Sequence, residues 1–228
     1  MPPYTHIVWD FNGTLLNDLG AALLSANALL SNHGLPPMRD LAEYRSYFGF
    51  PIIEYYRRLG FDFEKTPYPI LAVEWIELYT RFSKDAAVFD AVPAILSLLR
   101  DNGAHQLVLS ATQLDMLRAQ IHTLGIAAYF DQLLGLDNIH AYSKTELAVS
   151  WRRDNPNATV LLIGDTEHDL ETANAMRADC ILLSCGHRPA AALKRCDALA
   201  VLPDHNALLS YLSRLYIPAE IDKSDRHL

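Results

Sequence analysis

Hydrophobic positions along this chain fall into two successive rhythms. His6–Trp9 is a short apolar run that stops at Asp10 and breaks into the turn Phe11-Asn12-Gly13, the mark of a buried strand. From Asp18 to Ser31, and again from Arg39 to Asp85, apolar positions recur at helical spacing. The second stretch turns aromatic in LAEYRSYFGF, IIEYYRRLGF and ILAVEWIELYTRFS. Gly34, Pro36–Pro37, Gly49–Pro51 and Pro67–Pro69 punctuate it, and no strand signal occurs between Asn17 and Ala87. From about Val88 short apolar runs alternate with helical stretches. The strand-like runs are QLVLSA, DQLLGL, TVLLIGD, DCILLSC and DALAVL. VPAILSLLRDNG, LDMLRAQIHTLG, SKTELAVSWRRDNP, EHDLETANAMRA, RPAAALKRC and NALLSYLSRL read as helices. Such alternation predicts a parallel sheet covered on both faces, an α/β fold. The expected organisation is a core from residues 1–16 and 88–216, an all-helical insertion over 17–87, and a frayed polar tail over 217–228.

Composition adds limits. Half of the 228 residues are hydrophobic and a fifth charged, which is the balance of an ordinary globular protein. Nineteen basic against twenty-seven acidic residues give a net charge of −8, which argues against nucleic-acid binding. Cys180, Cys185 and Cys196 form no Cys-x-x-Cys and read as reduced, packed thiols. No basic region followed by a long apolar run opens the chain, and no apolar run would span a membrane. The expectations are a cytoplasmic location, no membrane partner, and a monomer or weak homodimer.

In open parallel sheets, ligands bind beyond the carboxyl ends of the strands. The first strand presents Asp10 there, QLVLSA presents Ser110 and Ala111, and TVLLIGD presents Asp165, with Glu167, His168 and Asp169 on the following turn. Lys144 opens the helix before TVLLIGD, where Ser143 reads as its cap. Each of these residues has a commonplace structural reading; together, at one sheet edge, they fit phosphoryl chemistry. A carboxylate can attack phosphorus and hold the phosphoryl group, splitting one hard step into two. Two anions repel, so a divalent cation is needed between them, and Mg²⁺ with carboxylate ligands suits. Lys144 and Ser110 would neutralise and hydrogen-bond the transferring group, and a turn at Gly13 would offer backbone N–H groups to it.

These residues resemble the motifs of the haloacid dehalogenase superfamily. Asp10-Phe11-Asn12-Gly13-Thr14 matches Asp-x-Asp-Gly-Thr except at its third position. Ser110 matches the second motif, Lys144 the third, and Gly164-Asp165-x-x-x-Asp169 the fourth. Thr145 replaces a frequent Pro after the lysine, and Asn17 stands where many members have Asp. The resemblance implies a Rossmann-like core of five parallel strands with the first central, and a phosphoglycolate phosphatase-like helical cap. It implies Asp10 as nucleophile and metal ligand. Asp165, the main-chain carbonyl of Asn12 and Asp169 would complete the Mg²⁺ site, and Phe11, Gly13, Thr14, Ser110, Ala111 and Lys144 would bind phosphate. What Asn12 lacks is the carboxyl group that would protonate the leaving oxygen; His168, beside Asp165, is the proposed substitute, with Glu167 next to it. In the cap, Gly49-Phe50-Pro51 would form a substrate loop, with Arg45 or Arg57 reading a second anionic group. The implied activity is a Mg²⁺-dependent phosphatase on a small, phosphoglycolate-like monoester, acting through an aspartyl-phosphate. The alternatives are a catalytically weak phosphate-binding or regulatory protein, a phosphonate hydrolase (Lys65 and Lys84 being the cap lysines available) or a phosphomutase variant.

Overall fold

The computed structural model describes residues 3–136 and 143–217. Its strands are β1 (His6–Trp9), β2 (Leu16–Asn17), β3 (Ala87–Val88), β4 (His105–Gln113), β5 (Gln132–Leu136), β6 (Val160–Gly164), β7 (Asp179–Leu183) and β8 (Ala200–Leu202). The helices are α1 (Leu19–Asn32), α2 (Leu41–Tyr47), α3 (Ile52–Arg58), α4 (Tyr68–Phe82), α5 (Val92–Asp101), α6 (Leu114–Thr123), α7 (Lys144–Asp154), α8 (Glu167–Ala175), α9 (Ala190–Leu193) and α10 (His205–Tyr216). The tail expected from 217 lies, from 218 onward, outside the described residues.

Six strands form one sheet in the order β5-β4-β1-β6-β7-β8, with every pairing parallel. The α/β core is therefore as expected, but the five-strand count implied by the resemblance is corrected to six. The sixth strand, β8, is the DALAVL run, and it pairs Ala200–Leu202 with Ile181–Leu183 at the sheet edge. β1 lies inside the sheet between β4 and β6, so both of its edges are hydrogen-bonded. The two-residue side-chain period sends Ile7 and Trp9 into one core with α5 and α10, while Val8 packs in the other with Trp151 and Ala173. The Trp9 indole N–H is satisfied by Gln106 Oε1 at 3.1 Å, itself buried.

The segment between β2 and β3 is all helical and carries its own apolar cluster, including Leu29, Leu30, Tyr44, Tyr55, Tyr56 and Leu71. It leaves and rejoins the core through the antiparallel β2–β3 pair, Leu16 opposite Val88 and Asn17 opposite Ala87. Two-residue strands are too short to show a period, which is why the sequence carries no sign of them. No helix among the described residues is long and apolar enough to cross a membrane.

Candidate active site

The strand ends converge as the sequence suggested. The Asp10 N–H still donates to Ile163 O of β6 at 2.9 Å, so the Asp10 carboxyl emerges just where the sheet stops. The Ser143 side chain caps α7 and shares a capping box with Glu146, fixing Lys144 as the first helical residue. From there buried Lys144 Nζ donates to Asp10 Oδ1 and, at 2.6 Å, to Asp169 Oδ1. The other Asp169 oxygen accepts from Asp165 N–H, Thr166 N–H and the Thr166 hydroxyl at 3.1, 3.0 and 2.7 Å. Asp169 is thus committed to orienting Lys144 and the turn into α8. Asp165 Oδ2 accepts the His187 N–H at 2.5 Å, and Thr14 Oγ1 donates to Asp165 Oδ1 at 3.3 Å. A Cβ on Gly13 or Gly186 would collide with the Asp165 carboxyl, and Gly13 sits at φ +74° besides, so both positions need glycine.

Burial dominates the electrostatics here. It raises the Asp10 carboxyl, with Lys144 pulling it back and Asp169 pushing it further up. It raises Asp165 more, since the nearby His187 only partly offsets burial and the neighbouring carboxylates add to it. Asp169 is the exception: burial would raise it, but Lys144 and the Thr166 donors hold it low. Lys144, despite burial, is pushed well above its usual value by Asp10 and Asp169. Asp10, Asp165 and Asp169 each bring an oxygen within 4.8 Å of the others, so the group could hold a metal ion. The charge balance fits one, because among the described residues four buried acids (these and Asp18) face only Lys144 and His187.

The Asn12 side chain is tied down on both sides. Its amide nitrogen donates to Asp18 Oδ2 at 3.0 Å and to the Tyr79 hydroxyl at 2.7 Å, and its oxygen accepts from Thr112 Oγ1 at 3.1 Å. Tyr79 from α4 in turn donates to Asp18 Oδ2 at 2.6 Å. His187 Nε2 lies 3.3 Å from Asp18 Oδ1, and its Nδ1 lies 2.9 Å from the Tyr44 hydroxyl. Burial would lower His187, but the Asp18 charge outweighs it and pushes the imidazole up to about 9. Asp18 is correspondingly held low by His187, against the effect of burial.

Sequence reading missed this ring of Asp18, Tyr79, Thr112 and His187. In the sequence Asp18 marks only the start of a helical stretch; in the structure it occupies the N-cap position of α1, yet its side chain makes no cap hydrogen bond. The signal for His187 was available: it follows β7, the strand next to β6, and strand ends were the place to look. The expectation that the Gly13 N–H would face phosphate is corrected, since that N–H donates to Asp18 Oδ1 at 2.8 Å and to Leu16 O at 3.0 Å.

Above the carboxylates a cavity of about 410 Å³ opens between core and cap. Asp10, Asn12, Ser110, Ala111, Lys144, Asp165, His168 and Asp169 line its floor, with Asp18 and His187. Phe11, Gly13 and Thr14 lie buried beneath. A register shift in β4 between Leu109 and Gln113 brings Ser110 and Thr112 to the floor, where the Ser110 hydroxyl donates to Thr112 Oγ1 at 3.1 Å. The His168 ring lies against Phe50 of the cap, tilted by 30° with centroids 4.8 Å apart, and places Nδ1 3.2 Å from Glu171. Glu167 is taken by Arg188, at 2.6 Å to Nη2. The cap arginines are placed elsewhere than expected. Arg45 donates to Cys185 O across the seam, Arg57 pairs with Glu54 on the surface, and neither lines the cavity. Gly49 sits beside Arg58 and Arg188 at the same seam. These arginines make their contacts outside the cavity lining, although the buried Arg45 Nε has no hydrogen-bond partner among the described residues; neither Arg45 nor Arg57 is placed to read a second anionic group inside the cavity.

The model of the haloacid dehalogenase-like hydrolases matches residues 7–183. No curated protein matches the chain. Among solved structures, a predicted phosphatase from Clostridium acetobutylicum is 21% identical, with 92% of this chain and 98% of that one covered and a TM-score of 0.72. A predicted phosphoglycolate phosphatase from Haemophilus somnus is 16% identical, covering 92% and 99%, with a TM-score of 0.69. Protein tyrosine kinase A from Mycobacterium tuberculosis is 18% identical over 92% and 98%, with a TM-score of 0.76. At these identities the likeness is one of fold, and that fold carries names of opposite chemistry.

Proposed function

The chain belongs to the haloacid dehalogenase-like hydrolases, and from that premise we propose that it is a Mg²⁺-dependent phosphatase of small phosphate monoesters, with Asp10 as nucleophile. The observation that carries the reading is Lys144 bridging Asp10 and Asp169, with Asp165 beside them, at the floor of a largely apolar cavity. Lys144 holds the Asp10 carboxylate charged and aimed, and Asp169 keeps Lys144 in that place. Asp10, Asp165 and the main-chain carbonyl of Asn12 would hold the Mg²⁺, with Asp169 behind them. Bound there, the ion would screen the repulsion between nucleophile and phosphoryl oxygens and draw off charge as it develops. In the first half-reaction an Asp10 oxygen bonds to phosphorus as the ester P–O bond breaks, and the leaving oxygen keeps the electron pair. In the second, water attacks the aspartyl-phosphate, releasing phosphate and restoring Asp10. Ser110 and Lys144 donate to the phosphoryl oxygens in both steps.

Asn12 cannot supply the proton that the leaving oxygen needs. His168, which lines the cavity, is the group we propose to carry it. A positioned acid contributes about 10²–10⁴ in rate, so its partial loss leaves a slow enzyme. Asp10→Asn should abolish Mg²⁺-dependent hydrolysis of 4-nitrophenyl phosphate while leaving the fold intact by circular dichroism; retained turnover would sink the reading. The alternative, a phosphate-binding protein without turnover, rests on Asn12 alone and predicts phosphate binding with no hydrolysis of any ester.

A further inference from the structure

The cavity above Asp10 is built for an organic group of one kind. Its upper wall comes from Phe48, Phe50, Tyr55, Tyr68 and Trp75 of the cap and Met116 of the core. At about 410 Å³ it is two to three times the size of the ~150 Å³ apolar cavity that accepts benzene. Among the described lining residues the cationic groups are three, and each is engaged. Lys144 is held by Asp10 and Asp169, His187 lies between Asp18 and Tyr44, and His168 faces Glu171 with its ring against Phe50. Arg45 and Arg188 stand at the seam outside the lining, where they donate to the Cys185 and Phe48 carbonyls; the buried Arg45 Nε has no partner among the described residues, but it is not part of the cavity wall. A substrate carrying a carboxylate beyond its phosphate would bury that charge against aromatic rings without a partner. A neutral ring would instead gain both burial and aromatic contact.

A second observation concerns Tyr55. Its hydroxyl is buried and has no hydrogen-bond partner among the described residues, although the ring lines the cavity. With that hydroxyl sealed from the accessible space, what Tyr55 offers the cavity is its ring, which adds to the aromatic wall. A third concerns the floor. With an amide at Asn12, the site serves best a leaving oxygen that departs without a proton. Aromatic alcohols meet that condition, because the ring stabilises the departing phenolate; aliphatic alkoxides do not.

We propose that the leaving group is an uncharged aromatic alcohol, so that the substrate is a small aryl phosphate monoester rather than a phosphorylated acid or sugar. This rests on the phosphatase reading of the same site. The reaction then yields inorganic phosphate from the aspartyl-phosphate and a phenolate whose departure does not depend on the proton His168 can carry; whatever leaves unprotonated takes a proton from solvent after release.

The test measures kcat/KM of the full-length protein with Mg²⁺ on 2-naphthyl, phenyl, cyclohexylmethyl and acetyl phosphates, 2-phosphoglycolate and a phosphotyrosyl peptide. We expect 2-naphthyl phosphate to exceed phenyl phosphate by about tenfold and phosphoglycolate by about 100-fold or more. Phenyl phosphate should exceed its aliphatic counterpart, and Trp75→Ala should shrink the naphthyl-over-phenyl advantage. Phosphoglycolate as good as naphthyl phosphate, or cyclohexylmethyl as good as phenyl, would overturn the proposal. Preference for the peptide would overturn the small-molecule assignment. Turnover of acetyl phosphate with aryl phosphates refused would overturn this inference and leave the phosphatase reading standing. Turnover of none would overturn both.

Discussion

The residue that decides most is Asn12, since its surroundings are fitted to an amide. Its nitrogen donates to Asp18 and Tyr79 while its oxygen accepts from Thr112. Asn12→Asp would put a carboxylate 3.0 Å from Asp18 Oδ2, where two like charges can coexist only by sharing a proton. The new group's pKa is thereby raised in the folded state, so its contribution to stability is lost as pH rises. We expect Asn12→Asp to cost about 1–3 kcal/mol at pH 8 and less at pH 5, as read by urea unfolding; an equal cost at both would contradict this. His187 gives a second pH dependence. Its folded pKa, raised to about 9 by Asp18, lies above the unfolded value of about 6.5. Its stabilisation is then complete below pH 6.5 and is lost as pH rises through about 9, with an upper bound of roughly 3 kcal/mol. The metal-free protein should lose Tm between pH 7 and pH 9.5, and His187→Gln should flatten that slope. Asp10, Lys144 and Asp165 were legible in the sequence because each stands at a strand end or helix start, where one-dimensional pattern fixes position; Ser110 was legible because the apolar run closes there, although β4 continues to Gln113. Asp18, Tyr79 and Thr112 were not, since they meet Asn12 only through separations of 6, 67 and 100 residues.

At the scale of elements, the alternating half of the chain was readable and the hinge was not. Runs such as TVLLIGD and DCILLSC are apolar throughout, because parallel strands are covered on both faces, and they appear as β6 and β7. β2 and β3 have no such signature, and neither does the register shift in β4 that carries Thr112 to the floor. The seam between cap and core also escaped reading, because it joins charged residues distant in sequence. Arg188 grips Glu167 at 2.6–3.0 Å and donates to Phe48 O, tying the loop after β7 to the end of α2. Arg188→Ala should therefore loosen the cap's hold. The expected outcome is faster amide hydrogen exchange over residues 48–58 and a raised KM, with exchange in β1 and β6 unchanged; equal exchange over 48–58 would show that the seam is held by other contacts.

For the whole molecule, acid crowds one buried place. Asp10, Asp18, Asp165 and Asp169 are all nearly inaccessible, in a chain whose net charge is already −8. Burial of this kind is unfavourable to the metal-free fold and favourable to a bound cation, so the two properties should move together. Mg²⁺ at 100 times its dissociation constant should stabilise the protein by about 2.7 kcal/mol. Asp165→Asn should abolish that response while leaving the metal-free Tm equal or higher, because the Asp165 carboxyl is the one burial disfavours most. A normal Mg²⁺ response in Asp165→Asn would remove it from the metal site. If Asp10 is the nucleophile it carries a phosphoryl group during turnover, which rapid acid quench with an aryl phosphate and Mg²⁺, followed by peptide mapping, detects. The predicted result is a phosphoryl group on the peptide bearing Asp10, absent in Asp10→Asn; turnover with no such adduct, or with the adduct on another residue, would contradict it.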